Sequence, residues 1–164
     1  MQTKLISAAA LLLAATLSHA ADGKKAAASI PDNTPILMQA EVGSLDKRVE
    51  VAYVCDSQQG KRNVNAMYGI KDGETAVVQI KVGDQVTPGL WRVMNDTNGK
   101  KQNSYYGEGL TWITDKASPD TLTKANGKIL MQASKLDGGL PKGDQTILFK
   151  ACKVDSAATK QLNK

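Results

Sequence analysis

The sequence predicts an all-β protein of about eight short antiparallel strands, a small barrel or sandwich, with one disulfide. Apolar residues recur at every second position, clusters of Gly, Asp, Asn and Ser interrupt them at hairpin spacing, and almost nothing has helical periodicity. A chain of 164 residues, 41% hydrophobic and 4% aromatic, supplies the core of one domain.

The elements follow in order. Val49, Val51 and Tyr53 alternate with Glu50 and Ala52, and Asp56-Ser57-Gln58-Gln59-Gly60 ends the run as a turn. Val64, Ala66 and Tyr68 then alternate with Asn63, Asn65 and Met67 up to Lys71-Asp72-Gly73, a hairpin signal because Asp-Gly tolerates positive φ. Residues Thr75 to Val82 form the third strand, and Gly83-Asp84 leads into a fourth over Gln85 to Met94. Pro88-Gly89 interrupts that fourth strand, which marks a bulge or an edge. Beyond the loop Asn95 to Gly99, Ser104-Tyr105-Tyr106 and Leu110 to Thr114 are two strands joined at Gly107-Glu108-Gly109. Lys128 to Ala133 and Thr146 to Val154, separated by Asp137-Gly138-Gly139, complete the set. Eight strands leave room for side chains to fill the interior, so a packed core is expected in preference to a ligand cavity.

The ends read differently from the middle. Lys4, the apolar run Leu5 to Leu17 and Ser18-His19-Ala20 have the layout of a signal peptide over residues 1–20, too short for a comfortable membrane span. Residues 21–47, rich in Ala, Pro, Gly and charge, read as a flexible leader, 48–154 as the folded domain and 155–164 as a frayed polar tail. In an exported chain, two cysteines are most simply one disulfide. Cys55 and Cys152 stand 97 positions apart, and closing a loop of that size stabilises by roughly 4.7 kcal/mol on a chain-entropy account. A redox pair or thiol nucleophile would need a CxxC spacing or an adjacent His, and the sequence has neither.

Removing the signal removes His19, the sole histidine. That excludes Ser-His-Asp and Cys-His nucleophiles, His-based zinc sites and the commonest general base. No metal or cofactor signature replaces them, so a binding protein is expected and an enzyme is not. Loss of Lys4 lowers the net charge only from +5 to +4. With Lys and Asp interspersed and no basic stripe, nucleic acid is not an expected partner. The most interaction-like stretch runs from Asn98 to Gly109 and offers Lys100, Lys101, Ser104, Tyr105, Tyr106 and Glu108 as partner-binding residues. Lysines and serine donate hydrogen bonds there, and a tyrosine anchors by packing. Adjacent tyrosines face opposite sides of a strand, so at least one is expected outward. A solvated hairpin with one buried tyrosine is the competing reading, and the loop Ser134 to Asp144, with Lys135 and Lys142, is the next candidate surface.

Val51-Ala52-Tyr53-Val54-Cys55, Gln59-Gly60-Lys61-Arg62, Met67-Tyr68-Gly69, Tyr106-Gly107-Glu108-Gly109 and Ile147-Leu148-Phe149-Lys150-Ala151-Cys152 together resemble the bacterial adhesin complex protein family. That family is in turn similar to the MliC/PliC periplasmic inhibitors of C-type lysozyme. The resemblance implies an eight-stranded, disulfide-closed barrel exported to the periplasm or outer surface of a Gram-negative-type bacterium. It also implies inhibition of C-type lysozyme by a polar loop, with an envelope adhesin that contacts a host surface as the alternative; homo-oligomerisation stays open. MliC-type inhibitors carry a Ser/Gly-rich segment ending in a basic residue and Tyr, then a strand with Trp, Thr and Lys. Here Ser104-Tyr105 stands at the basic-Tyr pair and Trp112-Ile113-Thr114-Asp115-Lys116 resembles the strand, but the Ser/Gly repeat is missing. Lys100 and Lys101 would supply the cation from upstream.

Overall fold

Alternation sets the sheet. In β1 (Lys47–Ser57), β2 (Gly60–Lys71) and β3 (Glu74–Val82), the side chains of Val49, Val51, Tyr53, Val64, Ala66, Tyr68, Val78 and Ile80 turn to one buried face. The computed structural model describes residues 44–94, 96 and 98–164; the expected signal over 1–20 and most of the leader over 21–47 lie outside these residues. The remaining elements are β4 (Gln85–Val86), β5 (Leu90–Arg92), β6 (Gln102–Gly107), β7 (Leu110–Asp115), a 3-10 turn (Leu122–Lys124), β8 (Gly127–Asp137), β9 (Leu140–Val154) and α1 (Ser156–Leu162). All strand pairs are antiparallel, in the order β2-β1-β9-β8-β7-β6-β5-β3 and back to β2, which closes an eight-stranded barrel.

β4 and β5 both pair with β3, through Lys81↔Val86 and Val78↔Leu90, so they are two pieces of the fourth strand read from the sequence. The break falls at Thr87-Pro88-Gly89 because Pro88 has no N–H to give to a ladder. The expected Asp-Gly hairpin is also present, with Asp72 at φ 49° and Gly73 at φ 77°.

A tyrosine and tryptophan cluster fills the interior. Tyr53, Tyr68, Tyr105 and Trp112 are essentially inaccessible, and burying a side chain of this size contributes roughly 1.5–3 kcal/mol each. Their polar atoms would cost much of that gain if left unpaired. Instead the Trp112 indole N–H donates to the Tyr68 hydroxyl at 3.0 Å, and the Tyr53 and Tyr68 hydroxyls share a 3.1 Å hydrogen bond. A bulge at Ala76, where Val77 pairs with Gly69 but Thr75 with Ile70, turns Thr75 inward. Its oxygen accepts from the Tyr105 hydroxyl at 2.8 Å. Gly127 lies flat against the Trp112 ring with no room for a Cβ. The expected disulfide is present, joining Cys55 of β1 to Cys152 of β9.

Two stretches differ from the sequence reading. Residues 155–164 are not frayed: Asp155 caps α1 by accepting from the Ala158 N–H at 3.0 Å. The helix is there because β9 stops pairing with β1 at Tyr53↔Val154, which leaves the earlier edge of β1 without a strand. The Thr159 hydroxyl accepts from Ala52 N–H at 2.9 Å, and the Asn163 side chain exchanges hydrogen bonds with both backbone groups of Glu50 at 3.0 and 2.7 Å. At the other terminus, Asp46 at the end of the expected leader is held by Lys71 Nζ at 3.0 Å and Asp72 N–H at 2.7 Å.

Candidate functional site

The register separates the candidate residues. β6 runs from the α1 end of the barrel to the opposite, open end, with Lys100 and Lys101 just before it and Glu108 just after it. Strand rise puts Lys101 and Glu108 about 23 Å apart, so one small contact does not include both.

At the α1 end, Asp96 builds the loop. Its carboxylate accepts the Asn98 N–H at 2.8 Å, the Gln102 amide at 3.3 Å and the Ser104 hydroxyl, and its carbonyl accepts the Gly99 N–H at 2.8 Å. Burial raises the Asp96 pKa, but the hydrogen bonds from Ser104, Asn98 and Gln102 and the charge of Arg92 outweigh it and hold the carboxyl below its ordinary value. Lys101 N–H donates to Asn98 O at 2.8 Å, which closes the turn and leaves the Lys100 and Lys101 side chains exposed. Among the described residues neither lysine forms an ion pair. Gln102 pairs with Asp115, so the exposed Lys116 leaves β7 beside Lys101. Lys116 was visible in the sequence only as the last residue of the Trp112 to Lys116 segment.

The middle of β6 is buried on both faces. Ser104 is 7% exposed with its hydroxyl committed to Asp96. Tyr105 points into the barrel at 0% exposure, and the Arg92 guanidinium carbon stands 5.3 Å from its ring centre. Tyr106 lies on the outer face, yet it is only 6% exposed. Its hydroxyl donates to Gly139 O at 2.7 Å, because the long β8–β9 hairpin crosses over the strand. The expected outward tyrosine is Tyr106, but it is covered: the hairpin that follows supplies the cover that strand alternation alone leaves out. Glu108 is exposed at φ 47°, next to Gly109 at φ 84°, and together they make the β6–β7 turn. Residues 134–144, the fallback surface, are almost wholly exposed and belong to the β8–β9 hairpin, with Lys142 paired to Asp137 at 2.6 Å.

The fold is thus a disulfide-tied antiparallel barrel with a cation-tipped loop at one end and an open mouth at the other. The profile of the ACP-like domain family, Nm-ACP, matches residues 49–154, from the third residue of β1 to the end of β9, and the chain belongs to that family. Among solved structures, the Adhesin Complex Protein from Neisseria meningitidis is similar at 22% identity and a TM-score of 0.47, covering 65% of this chain and 99% of that one. No curated protein matches the chain.

Proposed function

We propose that this protein is an exported inhibitor of C-type lysozyme that acts by binding, with Lys100 and Lys101 entering the catalytic cleft. The observation that carries the reading is the loop pinned by Asp96, which exposes two lysines that form no ion pair among the described residues. A retaining glycosidase cleft presents two carboxyl groups, one ionised, and a charge-assisted hydrogen bond to a carboxylate strengthens as the cleft excludes water. Lys116 stands where it can add a third cation. C-type lysozymes are basic, so net charge gives no long-range attraction and the affinity rests on these local pairs.

In a turbidity assay of cell-wall lysis, the protein should remove lytic rate in proportion to its molar ratio to C-type lysozyme. An excess that leaves lysis unchanged sinks the inhibitor reading. The family resemblance then supports the second reading, an envelope adhesin, which retention of the purified protein on host cells would test.

A further inference from the structure

The open end of the barrel is a cavity of ≈ 910 Å³. That lies at the upper end of the range for small-molecule sites, roughly 300–1,000 Å³. The strands make it by ending unevenly. β1 pairs with β9 only between Tyr53↔Val154 and Asp56↔Lys150, so among the described residues β9 continues past the β1–β2 turn with no strand beside it on that side. On the far wall, the break at Thr87-Pro88-Gly89 holds β4 away from β6. Ile80 and Leu130, both nearly inaccessible, lie at the floor, with Val82, Leu110 and Phe149 above them. Arg62 is the one charged residue in the lining among the described residues. Its guanidinium donates to Gln59 Oε1 at 2.6 Å, which fixes it at the rim with its other N–H groups still to use. Asp56, in the adjoining cleft, is taken up by Lys61 at 2.8 Å and does not compete for Arg62.

We infer that this mouth binds a single-chain amphiphile with an acidic head, a long-chain aliphatic carboxylate whose tail lies on the partly exposed Val82, Leu110 and Phe149 and whose carboxylate meets Arg62. A mouth that sets Val82, Leu110 and Phe149 among Gln, Ser and Thr side chains, with one cation at its lip, discriminates by charge sign as well as by chain burial. The site is at the opposite end from Lys100 and Lys101, so it stands or falls apart from lysozyme inhibition.

Titration calorimetry with dodecanoate, dodecyl maltoside and dodecyltrimethylammonium, each below its micellar concentration, tests the assignment. Dodecanoate should bind one to one and most tightly, the neutral chain more weakly and the cation least. Nuclear magnetic resonance shifts should concentrate at Val82, Leu110 and Phe149. Arg62→Gln should weaken dodecanoate about tenfold, the effect of one charge-assisted contact, and leave dodecyl maltoside unchanged. Val86→Asp, at a rim position 51% exposed where folding is not at stake, should weaken dodecanoate further. No uptake of dodecanoate, any other order among the three chains, or an Arg62→Gln protein that binds dodecanoate as well as the parent would overturn the inference.

Discussion

The hydroxyl of Ser104 donates to the carboxylate of Asp96, so this serine braces the loop that precedes it. A buried strand residue thereby sets the shape of an exposed loop eight residues earlier.

Ser104→Ala and Asp96→Asn should each loosen that loop at a cost on the order of 1 kcal/mol in stability, with hydrogen exchange accelerated at Asn98, Gly99 and Lys101. The pH dependence has a definite sign. Because the folded-state pKa of Asp96 is lowered, its contribution is complete above the ordinary carboxylate range and is lost as pH falls through the lowered value. Thermal melts across acidic pH should show this loss in the parent and a smaller one in Asp96→Asn.

Lys100→Ala and Lys101→Ala should weaken lysozyme inhibition without moving the melting temperature. Each charge-assisted hydrogen bond lost in a desolvated cleft costs about 1.5–3 kcal/mol of binding. Double replacement should also flatten the salt dependence of inhibition. Inhibition constants from the lysis assay check both.

Tyr105 and Tyr106 should fail in different ways. Tyr105→Phe loses the bond to Thr75 and should cost about 1 kcal/mol, whereas Tyr105→Ala opens a cavity in the core and should cost about 3–5 kcal/mol in denaturant unfolding. Tyr106→Phe should leave global stability nearly intact while increasing proteolysis at Gly138 and Gly139, whose hairpin it tethers. Inhibition per folded molecule should survive all three changes.

Alkaline unfolding should begin near the ordinary tyrosine pKa of 10.0. Burial, first among the causes, raises the pKa of Tyr53, Tyr68 and Tyr105, so their contribution is complete below that pH and is lost as pH rises toward the raised values. Phenolate absorbance should therefore appear together with loss of the β-sheet circular dichroism signal. Absorbance that develops fully in a still-folded barrel contradicts the hydrogen-bonded cluster.

Reducing the Cys55–Cys152 bridge, or replacing both cysteines with serine, should cost about 2–5 kcal/mol in chemical denaturation. Thr159→Val should cost about 1 kcal/mol by leaving the buried Ala52 N–H without its acceptor.

The fold was legible because its signals are local. Alternation in Val49–Tyr53 and Val64–Tyr68 and the turn at Asp72-Gly73 each need only a few neighbouring residues to be read. What was missed depends on residues far apart in the chain. Asp155 before Ala157, Ala158, Lys160, Gln161 and Leu162 is a local helix signal, but seven residues do not hold a helix alone, and what holds this one is the unpaired edge of β1 more than a hundred residues earlier. The same holds for Tyr106, which is covered by Gly139, and for Ser104, which is claimed by Asp96. Lys100 and Lys101, by contrast, are exposed loop residues in the sequence and in the structure alike. The open mouth was hidden by counting strands, because closure of the ring says nothing of where each strand ends.

The overhang of β9 also bears on colloidal behaviour. Among the described residues, its stretch 140–149 has β8 on one side and no strand on the other, an invitation to aggregation by strand addition. The chain blunts it: Pro141 withholds a donor, Lys142 adds charge and Gly143, at φ 75°, breaks the regular pleat. Shelf life at high concentration should thus depend on three side-by-side residues that touch neither the core nor either end of the barrel's interior, and Pro141→Val with Lys142→Thr should turn a clear solution into one that precipitates.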